Sequence, residues 1–516
     1  MLKAAVVTVS LGSGMMWLAP HSTVVLAQDL DCERLAQTVL PNTKITLAKM
    51  VAAGSFRPPT TSTPAGVPAT SPFADLPAFC RVEATLTPSS DSDIKIEVWM
   101  PAVGWNGKFQ GVGNGGWNGA IRYNDLAKGL WRGYATAATD TGHSGASAAF
   151  ALGHPEKLVD FGYRAVHEMT VQGKAIVRAY YQRAPQRSYW VGCSSGGKQG
   201  LKEAQRFPTD YDGIVAGAPA NYWTHLMAGS IWVAHATLKD SASYIPPAKY
   251  GVIHAAVLTA CDLHDGVKDG VVENPERCRF DPASLQCGAT EGSDCLTAPQ
   301  VEAARKIYGP AKNPQTGAVI FPGLAPGSEP GWAAMAGGPN PLSIPNEHFK
   351  YVVFKDPNWD FKTLKFDSHV ELADRIDDGL LNATDPNLNP FVSHGGKLIL
   401  YHGWNDQLIA PQNTINYYRA VTDALGGPAK TAQSMRLFMA PGMAHCGDGD
   451  GPNTFNMVGA LEQWVEHGRA PDRVAASLMS EGKAVRTRPL CPYPQVAHYK
   501  GAGSTDVGSN FVCRVP

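Results

Sequence analysis

The hydrophobic pattern changes period along the chain. Asp93-Ile94-Lys95-Ile96-Glu97-Val98 alternates polar and apolar positions, which predicts a half-buried strand. Phe109 to Val112 and Tyr134 to Thr139 predict two more short strands, the first running into a glycine cluster. Residues 162–182 carry Val166, Met169, Val171 and Ile176 among the apolar positions of a helix. Ser188-Tyr189-Trp190-Val191 is a short apolar strand, Ser195 to Phe207 a helix and Tyr211 to Ala216 the next strand. Further on, Lys397 to Tyr401 has the continuous apolar character of a buried strand. Gln412 to Val421 follows as a helix and Met435 to Met439 as a strand. Residues 454–467, with Leu461, Trp464 and Val465, predict a final helix. Strands alternating with helices predict an α/β fold with a mostly parallel central sheet.

Between 221 and 391 the rhythm fails. This stretch holds four cysteines, many prolines and a dense acidic loop, and it reads as a large inserted cap over the sheet. Residues 54–73, rich in Pro, Thr, Ser and Ala, predict an irregular surface stretch. At the start, Lys3 precedes the uncharged, largely apolar run Ala4 to Leu26, and Val25-Leu26-Ala27 offers a small residue for cleavage. That is the pattern of an export signal. The competing reading, a membrane anchor, is weakened by Gly12, Gly14, Pro20, His21 and Ser22, and no later run is long and apolar enough to span a bilayer. The expected layout is a signal peptide at 1–27, a first core segment at 28–220, the cap at 221–391 and a second core segment at 392–516.

Composition narrows the function. The chain has 516 residues, 44% of them hydrophobic, and a net charge of −1. A large core is therefore affordable, and no basic field invites nucleic acid or anionic lipid. Ten cysteines, an even number, agree with a secreted or periplasmic protein. Pairing cannot be derived from sequence alone. Adjacency suggests Cys32–Cys80, Cys261–Cys278, Cys287–Cys295 and Cys491–Cys513, leaving Cys193 and Cys446 for each other. A structural zinc site is disfavoured because the chain has no C-x-x-C pair.

The candidate chemistry begins at Gly192-Cys193-Ser194-Ser195-Gly196, a G-x-S-x-G pentapeptide with a strand before it and a helix after it. A nucleophile elbow needs that context, because the flanking glycines let the turn lift the serine Oγ clear of the sheet. The catalytic base expected for Ser194 is His445, in Met443-Ala444-His445-Cys446. Asp406, in the loop after the strand Lys397 to Tyr401, is the expected acid that holds the imidazole. The order Ser, Asp, His is that of α/β-hydrolases. His402 and His143 compete for the base role; His143 reads better as a structural hydrogen-bonding histidine. If Ser194 and His445 meet, Cys193 and Cys446 are neighbours too. The second glycine cluster, Gly111-Val112-Gly113-Asn114-Gly115-Gly116, is expected to supply an oxyanion donor from Gly115 or Gly116, beside the amide of Ser195. It is a poor dinucleotide fingerprint, since no helix-forming run follows.

A second feature is Asp262-Leu263-His264-Asp265-Gly266-Val267-Lys268-Asp269-Gly270-Val271 in the insertion. Clustered carboxylates with turn glycines suit a hard cation such as calcium. An EF-hand written from Asp265 through Asp269, Gly270 and Glu276 fails, because the third position is not acidic and Pro275 spoils the exiting helix. A solvated acidic turn is the plain alternative.

Taken together, Cys193-Ser194, Asp406 and His445-Cys446 resemble the tannase and feruloyl esterase family of α/β-hydrolases, from about Cys32 to the C-terminus. The resemblance implies a secreted serine esterase that cleaves esters of aromatic acids (gallate, ferulate and other hydroxycinnamates) through an acyl-enzyme. It also implies a structural Ca²⁺ held by the side chains of Asp262, Asp265 and Asp269 and the carbonyls of Val267 and Val271. The five-disulfide scheme is likewise similar to the family's. Some bacterial members hydrolyse mono(2-hydroxyethyl) terephthalate, and that remains an alternative here. Trp223, Phe354, Trp359 and Trp404 are candidates for substrate contact, each equally suited to core packing, and no carboxylate-binding arginine is assigned. A non-catalytic aromatic-ligand binder and a peptidase on the same scaffold are the readings from other classes.

Overall fold

Nine strands hydrogen-bond into one sheet, and the alternating and continuous apolar runs supply most of them. The computed structural model describes Met1, residues 31–59 and residues 73–516, so the expected signal peptide and most of the 54–73 stretch lie outside the described residues. The strands up to the insertion are β1 (Thr43–Val51), β2 (Phe79–Leu86), β3 (Ile94–Pro101), β4 (Lys108–Val112), β5 (Ala135–Thr139), β6 (Arg187–Cys193) and β7 (Gly213–Gly217). Within the insertion, β8 (Ala311–Lys312) and β9 (Val319–Phe321) form a small hairpin of their own. The main sheet resumes with β10 (Lys397–Gly403) and β11 (Met435–Ala440).

The strand order is β1-β2-β3-β5-β4-β6-β7-β10-β11. The six strands from β5 to β11 run parallel, and β1, β2 and β3 add an antiparallel edge. This is an α/β-hydrolase fold. The central strands β7 and β10 are almost wholly buried, as a sheet covered by helices on both faces requires.

The helices before the insertion are α1 (Tyr123–Trp131), α2 (Pro155–Val159), α3 (Ala165–Tyr181) and α4 (Ser195–Arg206). A π-turn at Asp160–Arg164 joins α2 to α3, so the helix expected at 162–182 begins seven residues earlier, at Pro155. Proline is well placed there, because the first helical residue has no hydrogen-bond acceptor to lose. Likewise, the final helix starts at Met457 rather than 454, because Thr454–Phe455 pairs with the strand Val474–Ser480.

The insertion between β7 and β10 contains α5 (Trp223–Leu238), α6 (Tyr250–Cys261) and α7 (Ala298–Tyr308) with shorter helices. Helix α5 is apolar nearly all round, and it forms the middle of a second hydrophobic core with Phe321, Trp332, Phe349 and Ile409. Five disulfides form: Cys32–Cys80, Cys193–Cys446, Cys261–Cys278, Cys287–Cys295 and Cys491–Cys513.

Candidate active site

Ser194 sits between β6 and α4 with φ +62° and ψ −123°, a backbone conformation that L-residues rarely adopt. The turn is tight enough that a Cβ on Gly192 would lie 2.4 Å from the Gly196 carbonyl oxygen, and one on Gly113 would lie 2.5 Å from Gly196 Cα. The serine loop and the early glycine loop therefore touch backbone to backbone. Glycine is dictated by that approach.

The acid loop follows β10. Asp406 is fully buried, and its Oδ1 accepts the amides of Leu408 at 2.8 Å and Ile409 at 2.9 Å. Its Oδ2 accepts from His445 Nδ1 at 2.7 Å and from His402 Nε2 at 2.9 Å. Burial alone would raise the Asp406 pKa, but the two histidines and their hydrogen bonds hold it far below the usual carboxylate range. For His445 burial would lower the pKa; the Asp406 charge and hydrogen bond outweigh it and leave the imidazole raised. With Nδ1 donating to Asp406, Nε2 is the free basic nitrogen.

His402, the nearest rival for the base role, has a different place. Its Nε2 also reaches the Ile409 carbonyl at 3.0 Å, and its Nδ1 meets Thr414 Oγ1 at 2.8 Å. It helps hold the Asp406 carboxylate, at the same oxygen that accepts from His445. Only the four-residue spacing to Asp406 hinted at this partnership. His143 is buried against Phe150, with Nε2 2.7 Å from the Trp117 carbonyl, so it is a structural histidine.

Ser194 and His445 line the same cavity on the side of the inserted cap, the lid side, and among the described residues no hydrogen bond joins Ser194 Oγ to the imidazole. Such contacts commonly tighten only when substrate is bound. The Cys193–Cys446 disulfide, with Cα atoms 5.9 Å apart, joins the residue before the serine to the residue after the histidine. The acid segment meets the histidine loop at Gly403, the last residue of β10, where a Cβ would lie 2.2 Å from the Met443 carbonyl oxygen.

Gly115, Gly116 and Ser194 line a second, larger cleft of about 830 Å³, and Ser195 lies at the first position of α4. The Gly116 carbonyl accepts from Ser195 Oγ at 3.0 Å, which turns that hydroxyl away from the reaction. Among the described residues, the amide hydrogens of Gly115, Gly116 and Ser195 are not taken by protein acceptors, whereas those of Gly113 and Asn114 are. The serine therefore faces unspent backbone donors at a helix N-terminus, an arrangement suited to an oxyanion.

Trp223 lines the lid-side cavity with Leu226, Met227, Leu342, Ile344 and Pro345. The other aromatic candidates lie elsewhere. Phe354 stacks on Trp359 within the insertion core, and Trp404 lines a separate pocket.

In the acidic loop, Asp262 accepts the amides of Asp269 and Gly270, both at 3.1 Å, and Asp265 accepts that of Val267 at 2.9 Å. Asp269 pairs with Arg488 and lies 3.6 Å from Arg486. Neither arginine was legible as a partner in the sequence. The carbonyls of the buried residues Val267 and Val271 accept no hydrogen bond among the described residues. Three carboxylates and two unspent carbonyls are hard oxygen donors, and their chemistry fits a calcium ion.

A model of the tannase and feruloyl esterase family matches residues 80–514. The chain belongs to that family. It is 39% identical to an uncharacterized esterase of Xanthomonas campestris pv. campestris, over 93% of this chain and 91% of the relative. It is 34% identical to a probable feruloyl esterase B-2 of Neosartorya fischeri, over 96% and 98% of the two chains. The crystal structure of feruloyl esterase B from Aspergillus oryzae superposes with a TM-score of 0.88 at 31% identity, covering 95% of this chain and all of that one. Family membership makes this protein an ester hydrolase. Among the described residues, no helix is long and apolar enough to cross a membrane.

Proposed function

We propose that the protein is a secreted serine esterase that cleaves esters of aromatic acids of the hydroxycinnamic or gallic type. The observation that carries this reading is the Asp406–His445 pair, disulfide-linked through Cys446 to the nucleophile elbow of Ser194. Ser194 Oγ attacks the ester carbonyl while His445 Nε2 takes its proton. Asp406 keeps the imidazole in the reactive tautomer and supports the imidazolium that forms. The amides of Ser195 and of Gly116 or Gly115 receive the developing oxyanion, each contributing about 2.7–4 kcal/mol. His445 then returns the proton to the leaving alcohol, and water releases the acid by the same steps in reverse order.

The two cavities divide the substrate. The lid-side pocket is apolar and suits an aromatic acyl group, with Trp223 as one wall. It holds only about 40 Å³ as it stands, so Leu342, Ile344 or Met227 must turn for a ring to enter. The larger cleft, with Arg122, Asp125 and Lys128 at its margin, suits a polar alcohol. Export is supported by five disulfides and by the leader-like N-terminus. Calcium would be held by Asp262, Asp265, Asp269 and the carbonyls of Val267 and Val271, where it would neutralise clustered carboxylates without taking part in the chemistry.

The test is a panel of methyl ferulate, methyl gallate, chlorogenate and mono(2-hydroxyethyl) terephthalate with the wild type and Ser194→Ala. The expected outcome is turnover of one or more of the first three, abolished in a folded Ser194→Ala. Near-normal hydrolysis by that variant would eliminate the mechanism, and exclusive turnover of the terephthalate monoester would replace the substrate class.

A further inference from the structure

A cluster of chemistry-bearing side chains lies behind the catalytic helix. Glu203 follows Ser194 by nine residues on α4, about 13 Å along the helix axis. Its side chain meets His167 from α3 and Asp210 from the loop before β7. One ligand-capable atom of each residue lies within 4.8 Å of the other two. We propose that His167, Glu203 and Asp210 form a binding site for a divalent transition metal of the zinc type, separate from the acidic loop of the insertion.

The decisive observation is Glu203. It is 1% exposed, and neither of its carboxylate oxygens has a hydrogen-bond donor. A buried carboxylate without a donor is expensive, and a second carboxylate beside it raises the cost further. Such a pair requires either a shared proton or a cation between the two groups.

The remaining geometry favours the cation. His167 Nδ1 lies 2.7 Å from Asp210 Oδ2, so an imidazole nitrogen already points at the carboxylates. The His167 ring stacks on Phe207 at 3.7 Å, which fixes its plane. Lys174, the nearest side-chain cation, donates to the backbone carbonyl of Asp210 and leaves Glu203 unpartnered. One imidazole and two carboxylates are a zinc-type donor set. Calcium would want six to eight oxygens. Bound there, the ion would clamp α3, the last turn of α4 and the lead into β7. Those three elements fix the far end of the helix whose first residues hold the nucleophile, so the role is structural.

The test uses the purified, disulfide-bonded enzyme. It is stripped with a strong chelator, returned to buffer with saturating calcium chloride so that the acidic loop is satisfied, and titrated with zinc chloride. Bound zinc after desalting is measured by elemental analysis and Tm by circular dichroism. The expected result is about one zinc per chain and a Tm rise of about 2–4 °C in the wild type. Both should be lost in Glu203→Gln and in His167→Ala. The second variant, at a half-exposed position, keeps the test decisive if the first misfolds. No retained zinc in the wild type, or wild-type retention in a folded variant, overturns the proposal. A stripped Glu203→Gln that melts higher than wild type, with no zinc uptake by either, assigns a shared proton and also overturns it.

Discussion

At Asp406 one carboxylate receives four hydrogen bonds, two from backbone amides and two from histidines. An asparagine there keeps the shape but has one acceptor oxygen, which cannot serve both the two amides at Oδ1 and the two rings at Oδ2; with that oxygen held by the amides, its NH2 faces His445 and imposes the wrong tautomer. Asp406→Asn is expected to lower kcat/KM by about 10⁴-fold. The pH profile carries a second signature. The Asp406 charge raises the His445 pKa above its ordinary value near 6.5, so the wild-type acid limb should lie above pH 6.5 and move lower in Asp406→Asn. Lys198, one turn after Ser194, is fully buried, with Nζ unpartnered and 4.4 Å from the Trp223 ring centre. Burial, with Lys202 adding to it, brings its pKa down to about 7. Between that value and 10.5 the unfolded chain holds a proton that the native state lacks, so this group's penalty is full below about pH 7 and fades as pH rises. Lys198→Met is therefore expected to raise Tm most at pH 6 to 7, with the gain shrinking toward pH 9. A gain independent of pH in parallel melts would show that packing, not charge, sets the difference.

At the scale of elements, the strand–turn–helix around Ser194 and the loop after β11 are separate in sequence and joined by sulfur. The Cys193–Cys446 bond spans 253 residues, and a loop of that size corresponds to about 5 kcal/mol of unfolded-state entropy. Replacing both cysteines with serine is expected to lower Tm and, by loosening the Ser194–His445 geometry, to lower kcat as well. Thermal melts and ester kinetics on the same preparation check this. A fall in Tm with kcat unchanged would confine the bond to stability.

For the whole molecule, the acidic loop ties the insertion to the C-terminal segment. Asp269 faces Arg488 and Arg486, and the buried Glu273 accepts the Ala497 amide at 3.0 Å. A calcium ion there would stabilise the join by about 2.7 kcal/mol at 100 times its Kd. Calcium added to chelator-stripped enzyme should therefore raise Tm, whereas magnesium should not. Asp262→Asn should abolish that response. A melt unmoved by calcium would leave the loop as an acidic turn held by arginines.

The period of the apolar residues determined the α/β class, the central strands and the place where the regular alternation breaks, because burial on one or both faces of an element is written locally. The serine turn was legible for the same reason: glycine at 192 and 196 is demanded by the turn itself. The tertiary structure alone decided what depends on elements meeting. It put His402 against Asp406, Arg488 against Asp269, and Glu203 beside Asp210 and His167. It also added β1 and β2 to the sheet edge and Trp223, rather than Phe354, Trp359 or Trp404, to the lid-side cavity. Contacts between residues distant in sequence leave no periodic trace, since each side chain's own segment would read the same whatever it faced.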